Sequence, residues 1–403
     1  MQIKRDYSQP FFRQPKRRRI RNLFIVAVLL ALLISAFIWQ WDLLAATVTR
    51  LGAPPSTPTQ RPSQRAAHAA QLIIDNEMLA AEAELAMAVA ERPRSIAYLY
   101  AHGSLLIELA RYAEALELGA AITDLDARDE RGFALQAAAL TWQGQAALAI
   151  PIALSGLELN PRYSPLHAAL TRAYVDADRW TEALETGERG LSVNPDDADL
   201  NRAYAYALQS VGSYNDAINH LQRAIELRPT YLPTQFELAG LYLARDENSS
   251  AIDLYNRILS IDPRNARGML RLCLAYRKVG EFARALGFCK DSVDNDPSDA
   301  AAQFQLGLLH YRERQFNESR AAFQLCLTHD DGAYDLSCRY RLGLSHYYTG
   351  DCTRGWSLLR ESLALAQANG DEATTRNVLQ GLAAIESDPD CVDDAAAPVG
   401  LGE

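Results

Sequence analysis

The sequence predicts an all-α solenoid of about nine helix-turn-helix repeats, preceded by a single transmembrane helix. Three observations predict it. Proline recurs every 34 residues, at Pro161, Pro195, Pro229, Pro263 and Pro297. Small residues keep the same period, at Ala81, Ala115, Ala149, Ala183, Ala217, Ala251, Ala285 and Ser319. Residues 22–41 form a 20-residue run without a charge. The 403-residue chain is 49% hydrophobic and 22% charged, which excludes wholesale disorder.

Residues 1–21 carry Lys4, Arg5, Arg13, Lys16, Arg17, Arg18, Arg19 and Arg21 against Asp6, on a chain whose net charge is −10. A basic head on an acidic body argues against nucleic-acid binding by the body. The uncharged run at 22–41 would form a helix about 30 Å long, the thickness of a bilayer's hydrocarbon core. Trp39 and Trp41 stand at its far end, where indoles favour the headgroup region. Basic residues on the near flank place the N-terminus in the cytoplasm and the rest of the chain outside it. A cleaved signal peptide is the competing reading, but its apolar region is shorter and Leu43-Leu44-Ala45-Ala46 is a poor cleavage site. Residues 42–61 follow as a stalk, with prolines at 54, 55 and 58 favouring extended polyproline II.

Taking each repeat to start three residues after its proline, units begin at 62, 96, 130, 164, 198, 232, 266 and 300. A ninth begins at 336, after a two-residue insertion near Asp331-Gly332. Within a unit the apolar spacing describes two short amphipathic helices. In the unit from Ala198, Tyr204, Leu208, Ala217, Leu221, Ala224 and Leu227 mark one face of each, with Gly212 between them. The period-marking alanine sits where the second helix crosses the first most closely. Opposite it stand Ala69, Gly103, Ala137, Ala205, Ala239, Gly307 and Gly343. Proline ends each pair because it cannot continue a helix. One such pair cannot bury its apolar stripe alone, and stacking supplies the core.

These markers, with Ala173-Tyr174, Trp180-Thr-Glu-Ala-Leu184 and Asn194-Pro195, resemble the tetratricopeptide repeat family over residues 62–369. The resemblance implies a right-handed superhelix whose first helices line a groove for peptides or proteins. The first unit, with polar His68, suits an end cap; the ninth carries Gly355 for the alanine and lacks the proline. Residues 370–387 read as a solvating cap helix, and 388–403 as an acidic disordered tail.

In this family the second, fifth, ninth, twelfth and thirteenth positions of a unit face the ligand. On this chain the C-terminal half then presents Phe236, Arg267, Arg277, Lys278, Phe304, Tyr311, Arg312, Tyr340, Tyr347 and Tyr348. The N-terminal half is plainer: Ala134, Ala138, Thr141, Trp142, Ala168, Arg172, Arg202 and Tyr206. An aromatic and cationic strip on an acidic protein suits an extended peptide with acidic or aromatic residues. The bland alternative is that the long side chains pack against neighbouring helices.

Six cysteines, at 273, 289, 326, 338, 352 and 391, contain no C-x-x-C pair, which argues against a zinc ribbon or thioredoxin-type site. The repeat register suggests Cys273 with Cys289, Cys326 with Cys338, and Cys352 with Cys391, provided that the domain is extracytoplasmic. The alternative is six small buried hydrophobes. The seven histidines are scattered, no catalytic or phosphate-binding motif is present, and the solenoid leaves no room for a catalytic domain. The expectation is a non-enzymatic, cofactor-free scaffold, tethered to a cell membrane, whose extracytoplasmic groove holds a protein or peptide and aids assembly of an envelope or membrane complex. Two alternatives stand beside it: an accessory subunit recruiting substrate to a membrane enzyme of glycan or cytochrome maturation, and a cytoplasm-facing regulatory adaptor.

Overall fold

The computed structural model describes residues 61–391. Nine helix pairs follow one another, and no strand occurs among the described residues. The first helices are α1 (Pro62–Ile74), α3 (Ile96–Glu108), α5 (Glu130–Trp142), α7 (Ser164–Asp176), α9 (Ala198–Ser210), α11 (Leu232–Ala244), α13 (Ala266–Lys278), α15 (Ala300–Arg312) and α17 (Asp335–Tyr348). Their partners are α2 (Met78–Glu91), α4 (Tyr112–Leu125), α6 (Ala146–Leu159), α8 (Trp180–Val193), α10 (Tyr214–Leu227), α12 (Asn248–Ile261), α14 (Phe282–Asn295), α16 (Phe316–His329) and α18 (Cys352–Ala368). A final helix, α19 (Glu372–Ser387), packs on α18. The all-α repeat architecture expected from the 34-residue period is therefore present, with the ninth pair beginning at Asp335.

Each sequence marker has a local physical cause. All seven period-marking alanines are fully buried, and so is Ser319. Opposite them the first helix must also be small. A Cβ on Gly307 would lie 2.6 Å from the Phe323 ring of its partner α16, whereas one on Gly103 would lie 2.2 Å from Leu135 of the next first helix, α5. Gly355, the substitute in the ninth pair, would bring a Cβ to 2.9 Å from the Gly343 carbonyl oxygen, so alanine does not fit there.

The proline turn is held by two further devices with the same period. Asp126, Asn160, Asn194, Asp262 and Asp296 each accept a hydrogen bond from the backbone N–H two residues on, closing an Asx turn. Asp129, Asp197, Asn265 and Asp299 then cap the next first helix through their side chains. Inside the stack, His167, Asn201, Gln235 and Gln303, all essentially buried, bond the carbonyl oxygens of Pro161, Pro195, Pro229 and Pro297. An unpaired carbonyl there would be costly, so these four polar residues complete the turn rather than form a site.

The turn from first to second helix uses one left-handed residue per unit: Asn76, Ala110, Gly144, Asp178, Gly212, Asp246, Gly280, Arg314 and Gly350. Five different residue types share this backbone, which is why only Gly212 was visible from the sequence.

First helices α3, α5, α7 and α9 pack directly on one another, whereas beyond α9 they draw apart. The fifth position of the unit is Tyr100, Ala134, Ala168 and Arg202 in the close region and Phe236, Leu270, Phe304 and Tyr340 further on, so both central helices of the close region carry alanine there. No pair of second helices is in comparable contact among the described residues, so the first helices line the inside of the curve.

Among the described residues no helix is long and apolar enough to cross a membrane. The expected transmembrane helix at 22–41, the basic segment before it and nearly all of the stalk lie outside the described residues. One boundary changes. Residues 388–391, expected to lie in the disordered tail, are held in place: Asp388 accepts a hydrogen bond from the Tyr347 hydroxyl (2.9 Å) and Cys391 is buried against α18, while 392–403 lie outside the described residues.

The left-handed turn gives a clean stability test. An L-residue pays about 1–2 kcal/mol for this conformation, while glycine costs roughly 0.5–1 kcal/mol in unfolded-state entropy. Arg314→Gly should therefore raise the urea midpoint by about 0.5–1 kcal/mol of stability. Gly212→Ala should lower it by about as much, since nothing lies within 4 Å of the added Cβ.

Candidate functional site: the inner faces of the first helices

The C-terminal strip is not a row of free side chains. Phe236 is half-buried with its ring 6.0 Å from Tyr255, and the Arg267 guanidinium lies 4.7 Å over its face. Phe304 turns between Phe323 and Tyr334, with ring centroids 6.1 and 5.3 Å away, and packs in the core under α16. Lys278 reaches back to the preceding unit, pairing with Asp246 at 2.6 Å and donating to the Leu243 carbonyl at 2.9 Å. Arg312 covers the Phe282 ring at 3.0 Å. Arg277 is half-buried near the end of α13. Phe304 is thus half-buried by its ring neighbours, and the exposed Lys278 is engaged in a surface ion pair.

What the structure does bring together is an aromatic cluster on the last two units. Tyr348 stacks on Phe316 at 4.6 Å and meets Tyr311 edge-on at 5.9 Å, with Tyr347 at 5.1 Å. Tyr348 remains 52% exposed, comparable to Trp180 (47%) and Tyr214 (46%) on other units. Burial, with Tyr348 beside it, holds the Tyr311 hydroxyl well above its ordinary pKa. Tyr340 lies next door, with the Arg341 guanidinium 5.6 Å from its ring.

The N-terminal half, which reads as plainer, contains the densest polar network. Ala134, Thr141 and Ala168 are buried between close-packed first helices and face no groove. Trp142, Arg172, Tyr206 and Arg202 instead interleave. The Arg172 guanidinium lies 3.7 Å over the Trp142 ring and 4.7 Å over Tyr206. Arg202 makes a forked pair with Glu237 (2.6 and 2.8 Å) and donates to the Tyr231 hydroxyl at 3.1 Å. Burial opposes the Arg202 charge, but the Glu237 hydrogen bonds more than offset it and hold its pKa above the usual guanidinium range. Burial also pushes the Tyr231 hydroxyl up to about 12.

A second pair closes the inside of the curve. Arg228, at the end of α10, bonds Glu108, at the end of α3, at 2.6 Å, joining residues 120 positions apart. It also contacts Asp199 at 3.2 Å. Sequence reading missed Glu108, Asp199, Arg228 and Tyr231 because no short-range pattern links residues three units apart.

The six cysteines stand in three bonded pairs. Cys273–Cys289 joins α13 to α14, Cys326–Cys338 joins α16 to α17, and Cys352–Cys391 ties the segment after α19 back to α18. All six are buried. Histidines serve local structure: His310 bonds Gln315 and His346 bonds Asp351, each across the turn five residues on. Among the described residues no cluster of three or more His, Cys, Asp or Glu is placed to hold a metal ion.

With this geometry in place, the comparisons with known proteins are informative about the fold. Residues 208–273 match one tetratricopeptide repeat model, and residues 169–231 and 270–333 match another. Residues 169–333, about two-fifths of the chain, thus match tetratricopeptide repeat models. No curated protein matches the chain by sequence. Among solved structures it is similar to the APC/C hetero-tetramer Cut9–Hcn1, with a TM-score of 0.52 and 15% identity. That match covers 74% of this chain and 58% of the other. It is also similar to PilF of Pseudomonas aeruginosa (TM-score 0.46, 14% identity, 54% of this chain and 96% of the other). A third is YrrB, described as a tetratricopeptide repeat protein with an unusual peptide-binding site (0.39, 18%, 48% and 97%). At these identities the first supports the repeat fold alone, and the other two add no argument to it.

The Glu108–Arg228 contact makes a pH-dependent prediction. Burial raises the Glu108 carboxyl pKa above its ordinary value, with Arg228 opposing the rise. A carboxyl that binds its proton more tightly when folded favours the fold at low pH. That advantage is lost as pH rises from the unfolded value, about 4.3, through the folded one. The urea-midpoint difference between the parent and Glu108→Gln should therefore change between pH 4 and pH 7.5, with the parent losing stability relative to the variant. A constant difference would contradict it.

Proposed function

We propose that this protein is a membrane-tethered interaction scaffold whose repeat domain lies outside the cytoplasm and holds a protein or extended peptide on the inner faces of its first helices. The observation that carries the binding half of this reading is the aromatic cluster at Tyr311, Phe316, Tyr347 and Tyr348. It leaves a half-exposed ring on a rigid helix face, the arrangement from which interfaces draw their anchoring energy. Arg341, close enough to act on the Tyr311 hydroxyl, adds a cation beside it on an otherwise acidic chain.

The tether rests on sequence. The uncharged run at 22–41 is long enough to span a bilayer, and eight basic residues precede it. The three cysteine pairs support an oxidising compartment, since disulfides persist outside the cytoplasm and are rare within it. Confinement near a membrane raises the effective concentration of partners held in the same layer. In this setting the scaffold would aid assembly of an envelope or membrane complex.

Two outcomes are expected. Alkylation under denaturing, non-reducing conditions should find no free thiols in protein taken from its native compartment, and six reactive thiols would contradict the placement. Tyr348→Ala and Tyr340→Ala together should reduce cross-linking to partner proteins several-fold with helical content unchanged; an undiminished yield would remove the inner face of the last two units as the binding surface.

A further inference from the structure

The second helices turn one side to solvent, and α6 departs there from its neighbours. At three successive outward positions of the repeat, α4 carries Glu114, Glu117 and Ala120, α8 carries Glu182, Glu185 and Glu188, and α6 carries Leu148, Pro151 and Leu154. Leu148 is 57% exposed and Leu154 42%, with Pro151 exposed between them. Residues 132–157 contain no charged side chain, and the one charge of α6 is Glu158, in its last turn. A surface helix ordinarily turns charged side chains to water. A row of exposed apolar residues rimmed by charge marks a contact surface instead. On that rim Glu114 and Glu182 pair with Arg111 and Arg179, while Glu117 and Glu185 have no ion-pair partner among the described residues.

We propose that the outer face of α6 docks a cationic amphipathic helix of a partner polypeptide. Leu148, Pro151 and Leu154 receive its apolar side, and Glu117 and Glu185, on the second helices of the adjoining units, receive lysines or arginines on its two flanks. An apolar row with negative charge on both sides is the complement of such a helix. The strip runs the 14 residues of α6, about 21 Å at the α-helical rise. Charge decides against other occupants. A second copy meeting this strip with its own would set glutamates against glutamates, and an anionic bilayer would be repelled by them as well. The net charge of −10 adds long-range attraction for a cationic partner. This surface belongs to the second helices, so it is separate from the inner face and stands without the reading given for that face.

The six cysteines are all bonded, so Ser155→Cys supplies the one reactive thiol, beside Leu154 on the exposed side of α6. The full-length chain, labelled there with bimane and held in nanodiscs of neutral phosphatidylcholine, is titrated with a leucine–lysine amphipathic helix as long as α6. That peptide carries one tryptophan, which quenches bimane on contact. Quenching should saturate, and a scrambled peptide of the same composition should bind about tenfold more weakly, the loss expected when an apolar contact of leucine size is forfeited. Leu148→Glu with Leu154→Glu should cost as much with circular dichroism unchanged, since both side chains are exposed. Glu117→Lys with Glu185→Lys should weaken binding several-fold, and more so at low salt. Equal quenching by the scrambled peptide, quenching unaffected by the leucine substitutions, or no saturable quenching would each overturn the docking strip. A bimane blue shift that grows with protein concentration before peptide is added would give the strip to a second copy and overturn the cationic partner. None of these outcomes bears on the aromatic cluster around Tyr348.

Discussion

The structure depends on one steric constraint, repeated nine times: the two helices of a unit cross so closely that only a small side chain fits between them. Seven alanines and Ser319 occupy the second-helix side of that crossing with no exposed surface. Glycine or alanine answers on the first helix at Ala69, Gly103, Ala137, Ala205, Ala239, Gly307 and Gly343, and Ser319 donates to the Gly307 carbonyl at 3.1 Å. Close approach fixes the angle of each pair, and the proline turn with its Asx residue fixes the step to the next. Each unit has few contacts beyond its neighbours, so the stack inherits its curvature from these local dimensions.

From that constraint follows the division of the inner surface. From α3 to α9, around the alanines at the fifth positions of α5 and α7, the first helices close up, and long side chains from neighbouring units meet one another. The result is the Trp142–Arg172–Tyr206–Arg202–Glu237 network and the Glu108–Arg228 bridge across it. Where that position is Phe236, Phe304 or Tyr340, the helices stand apart and aromatic rings spread over the gap. The three disulfides lie in this looser C-terminal third. Each would stabilise by about 2–4 kcal/mol, supplementing the weaker contact between first helices there.

Much of the fold was legible in the sequence because its determinants are residue identities at fixed spacing. Pro161 to Pro297 and Ala81 to Ser319 announced every unit boundary to within one residue. The left-handed turn was hidden because asparagine, aspartate, alanine, arginine and glycine all serve there, so the repeat lies in backbone conformation and not in composition. The candidate site was legible only as composition. That an aromatic and basic strip occupies the C-terminal first helices could be read from Phe236 to Tyr348. That Phe304 turns inward, or that Lys278 is already paired, depends on neighbours 19 to 35 residues away and on rotamers. Arg228 and Glu108 meet only because two intervening units carry the chain around the curve, which no local pattern encodes.

The small-residue crossing can be tested directly by native-state hydrogen exchange on Ala217→Leu, which forces a branched side chain into a fully buried contact between α9 and α10. If the crossing sets the geometry of the stack, amide protection should fall in the unit at 198–227 and in its two neighbours, while the disulfide-bonded units beyond 266 keep theirs. Unchanged protection at 198–227 would contradict the account, because the helices would then have room that the constraint denies them.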